Sequence, residues 1–237
     1  MLLEPAELTA DGTAVVTGRR ATHIAGVHQA APGKSLRVGV IGGRIGQGVV
    51  RSVSEQEVVF EITLDEEPPP DPGLDLIVAL PRPKVLRRVL AMAASMGVRR
   101  LVLVNAFRVE KSYFDSPLLA AHAMREELVL GLEQGRDTVL PEILIRPRFK
   151  PFVGDELDAL WPPPTTRLLP HPTARQSLRA LELGPRTVVA IGPEGGWLPY
   201  EVSLLEARGF EPISLGARIL RVETAIAFVA GQVAVAR

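Results

Sequence analysis

The sequence reads IGPEGGW at residues 191–197 and LGARILRVET at residues 215–224. Each stretch follows a short apolar run typical of a β-strand and precedes a segment with helical spacing. In open α/β sheets, ligands bind in the loops that follow the carboxyl ends of the strands. Exposed backbone amides and carbonyls in such loops suit the edge of a flat, neutral cofactor. The two stretches therefore predict a cofactor pocket.

The first loop is not a common phosphate-binding motif. No Lys-Ser or Lys-Thr pair follows it, which excludes a P-loop, and its glycines lack the spacing of a dinucleotide site. One glycine would be enough for a tight turn, but the loop contains Gly192, Gly195 and Gly196. Three glycines in five residues indicate a ligand that approaches the backbone closely.

The second loop carries Arg218 and Arg221, followed by Glu223. Two arginines three residues apart lie on one side of a helical start, where they can bind a phosphate or the substrate. The alternative is a structural ion pair between Glu223 and either arginine. The residue pattern leaves both interpretations open.

Residues 74–237 alternate between apolar strands and amphipathic helices. The pattern predicts strands at 74–80, 100–104, 141–145, 168–169, 187–191 and 211–215. It predicts helices at 84–96, from Ser116-Pro117 to about residue 133, near 175–181, at 199–208 and at 223–236. This alternation predicts an α/β fold with a mostly parallel sheet.

Residues 1–67 have a different pattern, that of short strands joined by turns. Strands are predicted at 13–17, 35–40, 46–52 and 57–64. Their spacing suits a small β-barrel, and the proline-rich segment that follows is a stiff linker. The predicted domains are a β-barrel at 1–67, a linker at 68–73 and an α/β domain at 74–237.

The composition excludes several classes of protein. The 237 residues include no Cys, which rules out disulfides and thiolate chemistry. No apolar run approaches the roughly 20 residues of a membrane span. The histidines lack the spacing of metal ligands. We therefore expect a soluble, cytoplasmic protein without a metal and without a membrane segment.

The formal net charge is zero, but the charged residues are segregated. Residues 13–54 and 76–109 contain basic residues and no acidic residue. Such segregation predicts a positive face that neutralises the phosphates of a polyanion, and ordinary solvated arginines are the alternative. The residues assigned to RNA binding are Lys34, Arg37, Arg44, Arg82, Lys84 and Arg88.

Together, the two loops resemble the C-terminal motifs of a known family. IGPEGG paired with LGARILRVETA is similar to the pattern of the SPOUT-superfamily methyltransferases that methylate N3 of a uridine in 16S ribosomal RNA. The resemblance extends to LPHP at residues 169–172 and, more loosely, into the N-terminal segment. It departs at Ala217 and Val222, where the family usually has Pro and Thr.

The resemblance implies a trefoil-knotted α/β methyltransferase domain preceded by a small PUA-like β-barrel that binds RNA. It also implies a homodimer, S-adenosylmethionine as the cofactor, and 16S rRNA or the small ribosomal subunit as the partner. Backbone groups of three loops are expected to hold the cofactor. Carried over by position, these loops contain His171 and Pro172, then Ile191, Gly192, Glu194, Gly195 and Gly196, then Leu215, Gly216, Ile219, Leu220 and Arg221.

Methylation at N3 defines the catalytic task. The N3–H of uridine is a weak acid, so a catalyst can remove the proton or stabilise the anion spread over O2 and O4. We assign anion stabilisation to Arg221, oriented by Glu223. Glu223, Glu194 and His171 are candidates to accept the proton, and His171 can equally be a strand-end residue that hydrogen-bonds a carbonyl.

Two other functions suit the same fold. One is a non-catalytic protein for RNA binding or ribosome assembly, which would not bind the cofactor. The other is a SPOUT enzyme that acts on a different RNA position, such as a ribose 2′-hydroxyl, although the third loop does not resemble that group. Trp161 and Trp197 are additional candidates to stack on a base or on adenine, with Trp197 favoured by its place beside the glycines.

Overall fold

The computed structural model describes residues 1–27 and 30–236, which form two compact units. The first unit contains Met1–Pro70 and Leu132–Leu140, and the second contains Asp71–Gly131 and the residues from Pro141 onward. The grouping differs from a simple division at 68–73, because residues 132–140 belong to the first unit. No helix in the described part of the chain is long and apolar enough to cross a membrane.

The first unit contains a five-stranded sheet and a short α-helix, together with the later residues 132–140. Its elements are β1 (Leu2–Leu3), β2 (Thr13–Thr17), α1 (Gly18–Val27), β3 (Ser35–Val40), β4 (Ile45–Val53) and β5 (Glu57–Glu66). The strands lie in the order β1-β3-β4-β5-β2, and neighbours are antiparallel except for β1 and β3. The four strands predicted in this segment are confirmed.

The core of the first unit consists of alternate strand residues together with one face of α1. Val16, Val58 and Phe60 are buried in the sheet, and Ala21 and Ile24 of α1 pack against them. The sequence analysis missed this helix. It begins at Gly18, which has a positive φ of 64°, and it is only ten residues long. So short a helix gives a weak periodic signal and depends on tertiary packing for its stability.

The segment 132–140 joins the first unit through hydrogen bonds that the sequence pattern does not reveal. The hydroxyl of Thr138 donates to the carbonyl of Gly43 at 2.6 Å. The amide of Gly42 donates to the carbonyl of Thr138 at 2.8 Å. The amide of Leu2 donates to the carboxylate of Glu133 at 3.0 Å. These contacts are long-range in sequence, so local periodicity could not predict them.

The second unit is built on a six-stranded parallel sheet. Its strands are β6 (Leu74–Ala79), β7 (Arg100–Val104), β8 (Glu142–Arg146), β9 (Thr166–Pro170), β10 (Thr187–Ile191) and β11 (Glu211–Ile213). They lie in the order β11-β9-β10-β6-β7-β8, and each neighbouring pair is parallel. Every residue of β6 and β10 is buried, as expected for central strands of such a sheet. The predicted parallel α/β sheet is confirmed.

The remaining helices follow the strands along the chain. They are α2 (Pro83–Ser95), α3 (Ala121–Gly135), α4 (Phe149–Pro151), α5 (Leu157–Leu160), α6 (Pro199–Glu206) and α7 (Val222–Val235), with a π-helical turn at Phe152–Glu156. In α2, Pro83 occupies the first turn, and Val85 and Val89 lie on the buried face. Gly97, with φ of 73°, follows its end. The predicted helix at 84–96 is thereby confirmed.

Two helix predictions were wrong in extent or in kind. The helix expected to begin at Ser116-Pro117 is first a single 3-10 turn, Pro117–Leu119, and α3 begins only at Ala121 after the extended backbone of Ala120. The helix expected near 175–181 is a 3-10 turn at Leu178–Ala180. Here Ser177 is extended and forms a parallel bridge with Ser214, so tertiary pairing overrides the local helical pattern.

A buried carboxylate organises the amino end of β6. Asp75 accepts hydrogen bonds from the indole of Trp161 at 2.7 Å, the amide of Arg100 at 3.0 Å and the guanidinium of Arg186 at 3.0 Å. Buried charges need such partners, since an unpaired carboxylate in the interior is costly. Trp161 is fully buried by this arrangement. Its suggested role in stacking on a base or on adenine was therefore wrong.

Candidate functional site

Three loops of the second unit lie at one edge of its sheet. They follow β9, β10 and β11, which are parallel neighbours, so their carboxyl ends lie side by side. Two backbone hydrogen bonds tie the first loop to the third, from the amide of His171 to the carbonyl of Ile213 at 3.0 Å and from the amide of Ser214 to the carbonyl of Gln176 at 2.7 Å. The structure thus brings together the three predicted cofactor loops.

In the loop after β10, each glycine position favours glycine for its own structural reason. A Cβ on Gly192 would lie 3.1 Å from the indole ring of Trp197, and a Cβ on Gly195 would lie 2.8 Å from the side chain of Arg108. Gly196 has φ of 75°, which strongly favours glycine. Its amide donates to the carbonyl of Pro193 at 2.8 Å and closes the turn. Because the loop has few side chains, its backbone amides and carbonyls are available to a ligand. Glu194, within the same loop, is exposed.

Trp197 supports this loop from within the unit. Its ring packs against Phe149 with the centroids 5.4 Å apart, and only 6% of the residue is exposed. Such a buried ring is not an open stacking platform for a base. Within the described part of the chain, its indole nitrogen is buried and has no hydrogen-bond partner. A buried donor without a partner is unusual, and it lies next to Gly192.

The loop after β11 is largely exposed and has no regular secondary structure. Gly216 has φ of 106°, Ile219 is 87% exposed, and Leu215 and Leu220 are partly buried. Arg221 is exposed and has extended backbone where it caps the start of α7. The chain is not helical at 218–221, so the expected shared helical side for Arg218 and Arg221 was wrong. Such a loop offers backbone groups and one arginine to a ligand.

Glu223 in the first turn of α7 has a different partner from the one considered in the sequence. Its carboxylate lies 3.5 Å from the guanidinium of Arg88 on α2. Neither the Arg221–Glu223 nor the Arg218–Glu223 ion pair is among the ion pairs of residues 1–27 and 30–236. The assignment of Arg221 as anion stabiliser and Glu223 as its orienting partner stays a prediction.

His171 forms a local contact at the end of β9. Its Nδ1 atom lies 2.9 Å from the hydroxyl of Thr173 and 3.4 Å from the amide of the same residue. Both contacts use one ring nitrogen, an arrangement typical of a histidine that shapes a turn after a strand. Pro172, the next residue, is exposed. The structural interpretation of His171 gains support from this geometry.

The six cations assigned to RNA binding are all exposed. In the first unit, Arg37 pairs with Glu66 at 2.6 Å and Arg44 pairs with Glu67 at 2.9 Å, while Lys34 lies near the turn before β3. In the second unit, Arg82 and Lys84 flank the start of α2, and Arg88 pairs with Glu223. Exposed ion pairs contribute little stability, about 0–1 kcal/mol, so phosphates can displace these carboxylates. The role of all six cations in RNA binding stays a prediction.

Two residues near the glycine loop were missed by the sequence analysis. The guanidinium of Arg108, in the loop after β7, donates a hydrogen bond to the carbonyl of Gly195. Glu201 of α6 is fully buried and accepts the amides of Leu198 at 2.7 Å and Phe107 at 2.8 Å. A signal existed for Glu201, because a glutamate in the third helical position often caps the helix start. Nothing local in the sequence points to Arg108.

The chain matches the RNA methyltransferase domain family over residues 68–234. It is 33% identical over 220 residues to the Treponema pallidum protein named ribosomal RNA small subunit methyltransferase E, an alignment covering 90% of this chain and 82% of that protein. A shorter match, 28% identical over 155 residues, links it to a Borreliella burgdorferi protein named ribosomal RNA small subunit methyltransferase E 1, covering 64% of this chain and 63% of that protein.

Two solved structures are similar in fold over nearly the whole chain. One is the putative methyltransferase of Legionella pneumophila in complex with the cofactor SAM, with a TM-score of 0.79, 21% identity and coverage of 99% of this chain and 97% of that one. The other is a ribosomal RNA small subunit methyltransferase E of Neisseria gonorrhoeae bound to S-adenosyl methionine. Its TM-score is 0.76 at 21% identity, covering 98% of this chain and 96% of that one.

Proposed function

The chain belongs to the RNA methyltransferase family, and we propose that it uses S-adenosylmethionine to methylate N3 of a uridine in 16S ribosomal RNA. One observation carries the proposal: three loops, most of whose residues are exposed or partly exposed, lie side by side at the carboxyl ends of β9, β10 and β11. The family match spans all three loops. The relative from Treponema pallidum carries the name of a small-subunit ribosomal RNA methyltransferase, which supports the substrate class.

The loops fit this cofactor through their backbone. When bound, the cofactor supplies an electrophilic methyl group on a sulfonium. At Gly192 and Gly195 a side chain would crowd Trp197 and Arg108, and glycine avoids that crowding and leaves the backbone amides and carbonyls of the loop uncovered. Beside Gly192, the indole N–H of Trp197 is buried and has no hydrogen-bond partner in the described part of the chain. The residues proposed to hold the cofactor are His171, Pro172, Ile191, Gly192, Glu194, Gly195, Gly196, Leu215, Gly216, Ile219, Leu220 and Arg221.

Arg221 is the residue best suited to stabilise a uridine anion. It is exposed at the N-terminus of α7, a helix of 14 residues. The partial positive charge at a helix N-terminus adds to that of the guanidinium, and both favour negative charge on O2 and O4 of the base. Glu223, in the first turn of α7, pairs with Arg88 of α2, and this ion pair holds the start of α7 beside α2. Positioning of the base supplies a further part of the rate.

The finer architecture is part of the same proposal. We infer a trefoil knot in the second unit, a PUA-like RNA-binding barrel at 1–67 joined by a linker at 68–73, and a homodimer acting in the cytoplasm. The resemblance of the motifs to SPOUT enzymes supports the knot and the barrel. Exposed apolar side chains on α7, Phe228 and Val235, support a dimer contact along that helix. The six assigned cations would bind phosphates of the RNA.

The test is methyl transfer followed by identification of the product. The purified protein is incubated with radiolabelled cofactor and either small ribosomal subunits or deproteinised 16S rRNA, and the digested RNA is examined by mass spectrometry. We expect 3-methyluridine. A Gly195→Asp variant is expected to lose cofactor binding in a calorimetric titration, because it places a side chain and a negative charge in the loop, where even a Cβ would lie 2.8 Å from the side chain of Arg108.

Each alternative has its own outcome in this experiment. A 2′-O-methylated nucleotide would indicate the enzyme class that acts on ribose. Failure of the unmodified protein to bind the cofactor, with RNA binding intact, would indicate a non-catalytic assembly protein. Either result would overturn the assignment to N3 of uridine.

A further inference from the structure

The second unit contains a cleft that none of the predicted site residues line. It lies after the carboxyl ends of β7 and β8, between the loop at 105–111, the segment at 147–151 and the start of α6, and its volume is about 600 Å³. The side chains that matter for its chemistry are Asn105, Phe107, Lys111, Arg148, Lys150 and Tyr200. The cofactor loops follow β9, β10 and β11, so this cleft is a separate feature of the same sheet edge.

The cleft is positively charged. Lys111, Arg148 and Lys150 line it, and no Asp or Glu is among its lining residues. Within the described ranges, none of these three cations forms an ion pair with a carboxylate, unlike Arg37, Arg44 and Arg88. All three are exposed. Cations without carboxylate partners attract phosphate without first breaking an existing pair.

The cleft also exposes aromatic rings. Phe107 is 72% exposed and Tyr200 is 41% exposed, and both are among the large apolar side chains that the fold leaves in solvent. The ammonium of Lys150 lies 5.4 Å from the centre of the Tyr200 ring. Alternation of cations with exposed aromatic rings is the arrangement by which proteins hold single-stranded nucleic acid, through phosphate contacts and base stacking.

A buried carboxylate holds these groups in place. Glu201 accepts the amide of Phe107 at 2.8 Å and the hydroxyl of Tyr200 at 3.4 Å. Burial and the charge of Glu201 raise the pKa of Tyr200, so its phenol stays neutral and remains a donor. The loop at 105–111 and the start of α6 are therefore fixed to each other. The cleft is preorganised, which reduces the entropy lost when a ligand binds.

Two contacts connect the cleft to the glycine loop. Arg108, next to Phe107 in the chain, donates to the carbonyl of Gly195. Phe149, on the wall of the cleft, packs against Trp197, whose ring lies beside Gly192. An RNA strand whose target base enters the cofactor pocket would pass this cleft with the neighbouring nucleotides.

We propose that the cleft binds the single-stranded RNA segment adjacent to the methylated nucleotide, with Lys111, Arg148 and Lys150 on the phosphates and Phe107 stacked on a base. This proposal rests on the proposed function, because it names a subsite for the substrate of that reaction. The charge of the cleft also fits an acidic protein segment. Exposed rings beside cations favour RNA, since bases provide the flat faces on which such rings stack.

The test measures the affinity for a short, unstructured, fluorescein-labelled oligoribonucleotide by fluorescence anisotropy over a range of salt concentrations. Arg148→Ala removes one phosphate contact, so the slope of log K against log salt is expected to decrease in magnitude by about 0.7. Phe107→Leu keeps an apolar side chain but removes the aromatic face. We expect at least about fivefold weaker binding for Phe107→Leu, with an unchanged salt slope.

Arg179→Ala serves as the matched control. Arg179 is an exposed arginine on the 3-10 turn Leu178–Ala180, outside the cleft. Its replacement removes the same charge and is expected to leave both the affinity and the slope unchanged. Equal losses in Arg179→Ala and Arg148→Ala would overturn the proposal, because the effect would then be one of total charge.

The cofactor affinity and the methylation of rRNA are measured on the same proteins. The cleft variants are expected to keep the cofactor Kd and to raise the KM for RNA. Normal methylation with an unchanged RNA Kd and KM in both cleft variants would overturn the subsite and leave the proposed function standing.

Absence of methylation by the unmodified protein would instead overturn the proposed function and this proposal with it. Loss of cofactor affinity in the cleft variants would also overturn the subsite, because they would then act through the glycine loop.

Discussion

Trp197 is the residue that joins the glycine loop to the packed interior of the second unit. Its ring contacts Phe149 and lies directly beside Gly192. The chain has only two tryptophans, so Trp161→Phe leaves Trp197 as the single indole. Indole emission responds to polarity and hydrogen bonding, and a ligand at Gly192 changes both. We expect S-adenosylmethionine to change the emission of Trp161→Phe in a saturable manner, measured by fluorescence titration.

The reciprocal variant provides the control for this titration. Trp197→Phe keeps Trp161, which hydrogen-bonds Asp75 near the amino end of β6, away from the loops at the carboxyl ends. Its emission is expected to stay constant. Trp161→Phe loses one hydrogen bond to a buried carboxylate, at a cost of about 1–3 kcal/mol. An equal response from both variants would contradict the placement of the pocket beside Trp197.

At the scale of elements, Glu201 connects α6 with the loop after β7. It is fully buried, and its carboxylate accepts two backbone amides, those of Leu198 and Phe107. Glu201→Ala leaves both donors without a partner, at about 1–3 kcal/mol for each. Glu201→Gln keeps one amide oxygen as an acceptor, so it is expected to lose less. Urea unfolding of the three proteins measures the free energies, and equal stability of Glu201→Ala and the unmodified protein would contradict this role.

The elements also separate what the sequence can predict from what it cannot. Central strands such as β10 follow from their continuous apolar runs, and α2 follows from its periodicity and its proline start. The turn at Leu178–Ala180 could not be predicted, because the bridge between Ser177 and Ser214 depends on a partner far along the chain. A pairing between residues that are far apart in sequence produces no local pattern from which it could be predicted.

The functional sites also differ in how far the sequence predicts them. The sequence predicts the glycine loops as a site because the residues of each loop are consecutive along the chain. The cleft at Phe107, Arg148 and Tyr200 was missed, because its members come from three distant segments that meet only in the folded sheet. The ion pair of Arg88 with Glu223 joins α2 to α7, residues 135 positions apart in sequence. Charge segregation in the sequence therefore overstates the free positive charge on the surface.

At the scale of the whole molecule, two carboxylates of the second unit contribute to the loss of stability in acid. Asp158 accepts guanidinium hydrogen bonds from Arg167 and Arg208, which lower its pKa. Burial raises the pKa of Asp71, but hydrogen bonds from Gly73 and Arg186 outweigh it, so its net shift is also downward. The folded state therefore binds fewer protons than the unfolded state. Their contribution to stability is complete above the ordinary value of 3.8 and is lost as the pH falls through the folded pKa values.

We therefore compare the unmodified protein with the double variant Asp71→Asn, Asp158→Asn by urea unfolding across pH. The variant is expected to be less stable at neutral pH, because an amide cannot replace a carboxylate opposite arginine. The difference in unfolding free energy is expected to stay constant down to about pH 5 and to shrink below about pH 4, where the wild-type carboxylates become protonated. A difference that stays constant down to the most acidic conditions would mean that packing, and not charge, accounts for the contribution of these two residues. In that case the arginine pairs of Asp71 and Asp158 would not contribute to the loss of stability in acid.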